Sequence, residues 1–372
     1  MTDPMRRILV FGMTENPGGV ESFLINSYRV INGRGIRFDF LCNSYNDIAY
    51  EDELKDTGSR CFHIIARSKN PVLYYSQLNK LFKTHSSEWD AVWVNVSSLA
   101  NIDYLKIAAK YGIRRRIIHS HNSQNMDGVL RGKLHAHNMK ILDRYATDYW
   151  ACSEAAAKWF FKTELLPKTV YIRNAIDLGR LRYSEEGRQA IRTEHGWDGK
   201  TVIGNVGRLH FQKNHMFMLD IFASYHERNP ESVLVLIGQG EDLDKIKAKA
   251  ASSGIEDSVC FAGLQDNVPQ WLSAFDLFLF PSLFEGLSVA AMEAQANGVP
   301  VLASEGVIPS EVKINSNFMF FPLDRPASDW ADQMDPLIEA GRPVEEEIRT
   351  GFVRTGFEIN EASEELRRML LS

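Results

Sequence analysis

Residues 277–302 of the chain read LFLFPSLFEGLSVAAMEAQANGVPVL. The apolar run Leu277–Phe280 predicts a buried strand, Val289–Asn297 predicts a helix, and Val299–Leu302 predicts a second strand. A strand, a helix and a strand in this succession form a right-handed crossover within a parallel sheet. The stretch therefore predicts an α/β fold in which helices cover a parallel sheet.

The same alternation of short apolar runs and amphipathic stretches continues along all 372 residues. A chain of this length favours two cores over one. No strand is predicted between about 174 and 199, so the boundary between two doubly wound domains is expected there. We expect an N-terminal Rossmann-like domain over 1–180, a C-terminal one over 181–357, a cleft between them, and a last helix over 358–372 that returns to the first domain.

The composition is that of a soluble globular protein, with 44% hydrophobic and 24% charged residues. No apolar run approaches the roughly 18 residues of a membrane-spanning helix. The four cysteines are far apart in the sequence, which favours neither a zinc site nor a disulfide framework. A net charge of −6 argues against nucleic acid as a partner. We therefore expect a cytoplasmic protein.

The negative net charge conceals a basic first half. Residues 1–180 contain 25 Lys and Arg against 18 Asp and Glu, a net charge of +7, whereas the rest of the chain has a net charge of −13. A basic domain suggests peripheral contact with an anionic membrane surface, although a solvated surface with scattered charges explains the excess equally well. The excess includes Arg114, Arg115, Arg116, Arg131, Lys133 and Lys140.

Four loops that directly follow predicted strands carry the candidate site residues, because ligands of open parallel sheets bind at these strand ends. The first loop contains Gly18 and Gly19 ahead of a helix, where free backbone N–H groups suit a phosphate. An ordinary strand-to-helix turn could contain the same glycines. The second loop is the His-Ser-His-Asn-Ser run at 119–123, whose imidazoles could bind sugar hydroxyls or act in acid–base catalysis.

The third loop contains Gly207, Arg208 and Lys213. The two cations could hold a diphosphate and stabilise it as it gains charge as a leaving group. Two surface cations without a function are the alternative.

No third ligand is spaced for a metal near the histidines of the second loop, and no metal site is predicted.

The fourth loop, residues 281–288, leads into the helix that contains Glu293. Gly286, Leu287 and Ser288 could present backbone N–H groups at the start of this helix. Glu285 and Glu293 would face one crevice, one holding the hydroxyls of a sugar and the other a ribose diol. An N-cap followed by a surface glutamate is the alternative.

Gly238-Gln239-Gly240 also follows a predicted strand and resembles part of a dinucleotide-binding fingerprint. The third glycine of that fingerprint is absent, since Leu243 stands at its position. The acids of Asp242-Leu243-Asp244 stand at the start of a predicted helix, where they more simply complement the helix dipole than bind a metal.

Together, the four loops resemble those of the retaining glycosyltransferases of family four, which have the GT-B architecture. The most specific part is the pair Glu285 and Glu293, eight positions apart, with Gly-Val-Pro-Val following at 298–301. Residues 207–215 are similar to the family's diphosphate-binding loop. The run at 119–123 looks most like that of enzymes that build bacterial capsule or exopolysaccharide.

The resemblance implies a role for each charged candidate residue in the second half of the chain. Arg208 and Lys213 would bind the donor's diphosphate and stabilise it as the leaving group. Glu293 would hold the ribose hydroxyls. Glu285, with the backbone of residues 286–288, would hold the donor sugar.

The resemblance also implies roles in the other loops. Gly18 and Gly19 would lie against the donor phosphates from the first domain. His121 would contact a far hydroxyl of the donor sugar, with His119 as its rival for that role. Leu264 would lie near the nucleotide base.

The resemblance implies a retaining hexosyltransferase that needs neither metal nor cofactor. It would move a hexose or N-acetylhexosamine from a UDP-sugar to a growing, lipid-linked glycan at the inner face of the membrane. No protein nucleophile stands out, so same-face displacement is expected, with the leaving phosphate helping to deprotonate the acceptor. A non-catalytic nucleotide-sugar or glycan-binding subunit, an NAD-dependent oxidoreductase and a sugar epimerase remain alternatives.

Overall fold

The computed structural model describes residues 5–16, 18–122, 128–285 and 287–372. Over these ranges the strands are β1 (Arg6–Phe11), β2 (Ile36–Cys42), β3 (Cys61–His63), β4 (Ala91–Val96), β5 (Arg115–Ser120), β6 (Asp148–Ala151), β7 (Thr169–Tyr171), β8 (Thr201–Val206), β9 (Ser232–Ile237), β10 (Val259–Gly263), β11 (Leu277–Phe280), β12 (Val301–Ser304) and β13 (Phe318–Phe321).

The helices alternate with these strands along the chain. They are α1 (Gly19–Ile31), α2 (Glu51–Asp56), α3 (Pro71–His85), α4 (Asp103–Lys110), α5 (Val129–Ile141), α6 (Glu154–Phe160), α7 (Leu178–Leu181), α8 (Glu185–His195), α9 (His215–His226), α10 (Leu243–Ser252), α11 (Val268–Ala274), α12 (Val289–Ala296), α13 (Ala327–Asp332), α14 (Met334–Ala340), α15 (Glu345–Thr355) and α16 (Ile359–Leu371).

The chain divides after Ala175 and again after Glu358 into two compact units. The first unit contains β1–β7, α1–α6 and the terminal helix α16, and the second contains β8–β13 and α7–α15. From the sequence, the boundary was expected after residue 180. The structure has it earlier because Ile176 and Leu181 pack into the core of the second unit, and the backbone N–H of Ile176 donates to the carbonyl of Phe357 at 2.8 Å.

The first unit is built on a parallel sheet with the strand order β3-β2-β1-β4-β5-β6-β7. Apolar clusters pack on both faces of this sheet, and helix α16 adds Leu366 and Leu370 to one of them. The chain runs outward from β1 in one direction and from β4 in the other. Loops after these two neighbouring strands therefore lie at the point where open parallel sheets bind ligands.

The second unit repeats this plan with the parallel order β10-β9-β8-β11-β12-β13. All four residues of β11 are fully buried, as the continuous apolar run in the sequence predicted. The order reverses between β8 and β11, so the loops after these two strands emerge side by side. The α/β, doubly wound fold expected from the sequence is confirmed.

The edge strand β13 was not predicted. It pairs with β12 from Val301↔Phe318 to Ser304↔Phe321. Its four residues form a short apolar run between polar residues and Pro322, a pattern that a short strand shares with a loop. The stretch at 174–199, where no strand was predicted, contains helices α7 and α8.

Candidate functional site

The loop after β8 is held against the loop after β9 by close backbone contact. The backbone N–H of Leu209 donates to the carbonyl of Gln239 at 3.0 Å. A Cβ atom on Gly238 would lie 2.0 Å from the carbonyl oxygen of Gly207, and one on Gly240 would lie 2.1 Å from that of Leu209. The two glycines of the incomplete dinucleotide fingerprint therefore have a packing function, since only glycine allows this approach.

Lys213 lies at the end of a short 3₁₀ turn and precedes Asn214, which has the left-handed φ of 56° that starts helix α9. Its Nζ contacts Oε1 of Glu285 at 2.7 Å, and the two side chains are only 14% and 7% exposed. The same Nζ lies 4.6 Å from the ring centroid of Phe280. The structure therefore brings together the third and fourth predicted loops through a largely buried ion pair.

Two further contacts fasten these loops to each other. The backbone N–H of Leu283 donates to the carbonyl of Gln212 at 2.8 Å, and the Gln212 amide donates to the carbonyl of Phe284 at 2.9 Å. The rings of Phe211 and Phe284 also pack, with centroids 5.6 Å apart. Lys213 and Glu285 therefore project from a locally rigid frame, as a binding or catalytic pair requires.

Arg208 lies apart from this pair, with its side chain 68% exposed. Its guanidinium donates to Oε2 of Glu241 at 3.0 Å, while the other carboxylate oxygen of Glu241 is 3.4 Å from Nε2 of His210. An ion pair this exposed contributes little free energy, so Arg208 can exchange Glu241 for another anion at small cost. The part played by Glu241 was not predictable from the sequence, because its partners follow a different strand.

Helix α12 begins as predicted. The Oγ of Ser288 caps it by accepting a hydrogen bond from the N–H of Ala291 at 3.4 Å. Glu293 lies in this helix and is partly exposed. Burial raises the pKa of Glu293 to about 7, and Arg180 opposes that shift. Leu287 is half-buried beside the apolar core of the unit, whereas the predicted Gly286 lies outside the described residues.

Leu264 directly follows β10 and is 71% exposed. It stands at the carboxyl end of the strand next to β9, the end of the sheet at which the other candidates of this unit lie. In the part of the chain that the structure describes, no group of three or more His, Cys, Asp and Glu side chains could hold a metal ion.

In the first unit, Gly18 and Gly19 are exposed at the start of α1. The buried carboxylate of Glu21 in the first helical turn accepts a hydrogen bond from Thr14 Oγ1 at 2.6 Å. A Cβ atom on Gly18 would lie 2.9 Å from the other oxygen of Glu21. This carboxylate complements the helix dipole, and a phosphate at the two glycines would have it as a neighbour. A phosphate at Gly18 and Gly19 stays a prediction.

His119 and His121 differ in accessibility. His119 has no exposed surface and packs against the rings of Phe23, Trp93 and Trp150. His121 is partly exposed and is the more accessible of the two rings, and contact of either ring with a donor sugar stays a prediction. Burial lowers the pKa of His121 to about 3, and burial together with the neighbouring His121 holds the pKa of His119 well below its usual range. The last residue of the predicted run, at 123, lies outside the described residues.

Comparisons with known proteins find glycosyltransferases. Residues 187–349, within the second unit, match the family model described as glycosyl transferases group 1. EpsF of Bacillus subtilis, whose own assignment as a glycosyltransferase is provisional, is 28% identical over 96% of this chain and 94% of its own. The UDP-Gal:α-D-GlcNAc-diphosphoundecaprenol α-1,3-galactosyltransferase of Escherichia coli is 34% identical over 28% of this chain and 27% of its own.

A solved structure agrees over nearly the whole chain. HepE of Anabaena in complex with UDP-glucose matches with a TM-score of 0.78 and 19% identity, covering 98% of this chain and 99% of HepE. At that identity the likeness shows the fold alone. The family match over residues 187–349, the nearly full-length relative and the shared fold lead to one conclusion: the chain is similar to the group 1 glycosyltransferases, and its fold is GT-B.

Proposed function

We propose that this glycosyltransferase moves a hexose or N-acetylhexosamine from a UDP-sugar to a glycan acceptor in the biosynthesis of a bacterial polysaccharide. The observation that carries the proposal is the Lys213–Glu285 pair between the loops after β8 and β11. It joins a cation suited to a diphosphate and a carboxylate suited to sugar hydroxyls within one rigid frame.

Different residues of the second unit bind different parts of the donor. Lys213, with Arg208 swung away from Glu241, holds the diphosphate and stabilises the negative charge that develops as the sugar leaves. Glu285 accepts hydrogen bonds from hydroxyls of the sugar, and Glu293 from the ribose. Leu264 packs near the base, and Gly207 lets the backbone approach the diphosphate.

We further propose that the reaction retains the anomeric configuration and needs no metal. The two cations supply the charge that a divalent ion would supply elsewhere. The acceptor hydroxyl attacks from the face that the diphosphate leaves, and a phosphate oxygen takes its proton. Retention predicts that the new glycosidic bond has the α configuration when the donor sugar is α-linked, and turnover that persists in the presence of EDTA would support metal independence.

The names of two similar proteins support the choice of donor and acceptor. HepE was solved with UDP-glucose, and the E. coli enzyme is named for UDP-galactose and a diphosphoundecaprenol-linked sugar. A uridine donor and a lipid-linked saccharide acceptor are therefore the first substrates to try for this chain.

The test is release of UDP from a panel of UDP-hexoses and UDP-N-acetylhexosamines in the presence of lipid-linked acceptors. Lys213→Met is expected to lower kcat/KM by about 100-fold or more, the usual loss when one charge-stabilising group is removed. Lys249→Met is the matched control, since Lys249 pairs with Asp220 on the surface between α10 and α9. Equal activity of both variants would contradict the proposed site, and UDP binding without release would favour a non-catalytic subunit.

We also propose peripheral contact of the first unit with an anionic membrane at the cytoplasmic face. Helix α5 exposes Val129, Leu130 and Leu134 beside Lys133 and Lys140, the mixture of apolar and basic side chains that suits an anionic lipid surface. Within the described ranges, no helix has both the length and the apolar character to cross a bilayer.

Two of the basic residues counted in the sequence are engaged inside the first unit. The guanidinium of Arg115 pairs with Asp148 at 3.1 Å, and that of Arg116 donates to the carbonyl of Tyr145 at 2.5 Å. The membrane contact therefore depends on helix α5. Co-sedimentation with anionic but not neutral vesicles, weakened by salt and by a Leu130→Ser, Leu134→Ser double variant, would support it. Equal recovery with both vesicle types would contradict it.

A further inference from the structure

A cluster of three polar side chains lies at the carboxyl ends of β4 and β5 in the first unit. Asn95 of β4 stands opposite His119 of β5 in the parallel register, and His121 follows directly after the end of β5. Asn95 Oδ1 lies 3.1 Å from Nδ1 of His119 and 3.0 Å from Nε2 of His121. One amide oxygen therefore serves both imidazole rings.

The surroundings fix the orientation of the Asn95 amide. Its Nδ2 donates to the carbonyl of Trp93 at 3.5 Å, which leaves Oδ1 facing the rings. Asn95 is 1% exposed, and a Cβ atom on Gly12, which has a φ of +141°, would lie 2.7 Å from Asn95 Cβ. Glycine at position 12 therefore lets the backbone after β1 close over Asn95.

A carbonyl-type oxygen only accepts hydrogen bonds, so each ring nitrogen that faces Asn95 must carry the proton. His119 is then the Nδ1–H tautomer and His121 the Nε2–H tautomer. The opposite nitrogen of each ring keeps a bare lone pair. Among the described residues, neither His119 Nε2 nor His121 Nδ1 has a hydrogen-bond partner, although both atoms are buried. A buried acceptor without a partner costs free energy, and a donor hydroxyl would remove that cost.

We propose that Asn95 is a positioning residue that fixes His121 with Nδ1 as a hydrogen-bond acceptor, so that this position selects a neutral sugar hydroxyl and rejects a carboxylate. The inference rests on the proposed function and on the role that the resemblance implies for His121, contact with a hydroxyl of the donor sugar. It adds that the imidazole accepts and the sugar donates in this contact. The substrate class that follows is UDP-hexoses and UDP-N-acetylhexosamines in preference to UDP-hexuronates.

The rejection follows from the chemistry of the two partners. A hydroxyl can donate to the lone pair on His121 Nδ1, whereas a hexuronate carboxylate is itself only an acceptor and would meet that lone pair directly. A protonated imidazole would reverse the preference, because both of its nitrogens donate. The two rings lie with centroids 4.1 Å apart, and sharing a neutral acceptor keeps both of them neutral.

The first experiment reads the tautomer without any turnover. The whole chain is labelled with ¹⁵N-histidine, and long-range ¹H–¹⁵N spectra are recorded at neutral pH, with His121→Gln used to assign the signals. We expect a pyrrole-like Nε2 and a pyridine-like Nδ1 for His121. An Nδ1–H tautomer, or an imidazolium at neutral pH, would overturn the inference while leaving the proposed function intact.

The second experiment compares donors. Wild-type protein is expected to favour UDP-hexose over the matching UDP-hexuronate by at least about tenfold in kcat/KM, and Asn95→Asp to narrow that ratio by about tenfold, because an anion at position 95 favours imidazolium. Asn95→Ser, which keeps an acceptor without charge, should preserve part of the preference. Asn138→Asp, at another buried asparagine of the first unit, is the matched control and should leave the ratio unchanged.

The outcomes separate the two proposals. Binding of UDP-hexose that shifts the His121 signals without turnover would support the inference and contradict the transferase function. An unchanged donor ratio in Asn95→Asp, in protein that folds and turns over, would overturn the inference alone. Absence of binding by any nucleotide sugar would overturn both.

Discussion

Glu293 is a carboxyl group whose surroundings favour the neutral form. Burial raises its pKa to about 7, and only Arg180 opposes that shift. A carboxylate accepts hydrogen bonds at both oxygens, whereas the protonated form loses part of that capacity. The protonation of one residue in helix α12 therefore couples donor binding to pH near neutrality.

The affinity for a UDP-sugar should therefore fall as the pH decreases through about 7, because Glu293 becomes protonated and holds the ribose hydroxyls less well. Calorimetric titration at pH 6 and pH 8 measures the effect, and a UDP-sugar is used because its diphosphate does not titrate there. Glu293→Gln should bind more weakly at both pH values and with no pH dependence of this origin. A variant that keeps the wild-type pH dependence would contradict the assignment of the titration to Glu293.

His215, at the start of α9, is a second buried titratable residue, and its pKa is lowered to about 4 by burial and by the neighbouring Lys213. The unfolded chain takes up a proton near the ordinary histidine pKa of about 6.5, whereas the folded chain resists it. The stabilisation is therefore complete above about pH 6.5 and is lost as the pH falls toward 4. The free energy of unfolding should decrease by about 2 kcal/mol between pH 7 and pH 5.

Denaturant unfolding at pH 7 and pH 5 measures this loss. In His215→Leu, the difference in unfolding free energy between the two pH values should be smaller by about 2 kcal/mol. His137→Leu is a control, since His137 is exposed on helix α5. An acid dependence of His215→Leu equal to that of the wild type would refute the prediction.

At the level of elements, the site depends on how the loop after β9 supports the loop after β8. Gly240 allows the two loops to approach closely, since a Cβ atom at this position would lie 2.1 Å from the carbonyl oxygen of Leu209. The backbone of residues 207–209 would have to move to admit any side chain. Arg208 lies within that segment, so its position depends on a residue that has no side chain of its own.

Gly240→Ala should therefore destabilise the second unit by roughly 1–3 kcal/mol and weaken UDP binding. Gly254→Ala is the control in the same unit, because a Cβ there meets no atom within 4 Å and carries only the strain of its φ of +67°. Thermal unfolding and UDP titration measure the two effects. A Gly240→Ala protein no less stable than Gly254→Ala would show that the contact is unimportant.

The elements themselves were largely predictable from the sequence. Strand β11 begins and ends where its apolar run does, because burial on both faces leaves a local signal. The pairing of Lys213 with Glu285, 72 positions apart, could not be predicted from local sequence. It exists because β8 and β11 are neighbours in the sheet. Asn95 was missed for the same reason, since its significance depends on β4 lying beside β5.

At the level of the whole molecule, the chain returns to its first unit after completing its second. Helix α16 buries Leu366 and Leu370 in the core of the first unit, and Arg34 pairs with Glu364 at 2.9 Å. Both ends of the described chain therefore contribute to one unit. Stability of the first unit should depend on the last residues of the sequence and not on the second unit's core.

Leu366→Ala should lower the stability of the first unit by about 2–5 kcal/mol, the range for deleting a buried leucine. Hydrogen exchange should show faster exchange in α1 and β2, with the second unit and its affinity for UDP unchanged. Glu365→Ala, exposed on the same helix, is the control. Loss of protection spread equally over both units would contradict the division of the chain.

The central claim is that Arg208 and Lys213 hold the diphosphate of a nucleotide sugar at the carboxyl edge of the second sheet. A crystal structure of the chain with a bound UDP-sugar tests it most directly. We predict that phosphate oxygens lie within hydrogen-bond distance of both side chains, with Arg208 turned from Glu241. Phosphate oxygens found elsewhere, while Arg208 and Lys213 keep Glu241 and Glu285 as partners, would contradict the claim.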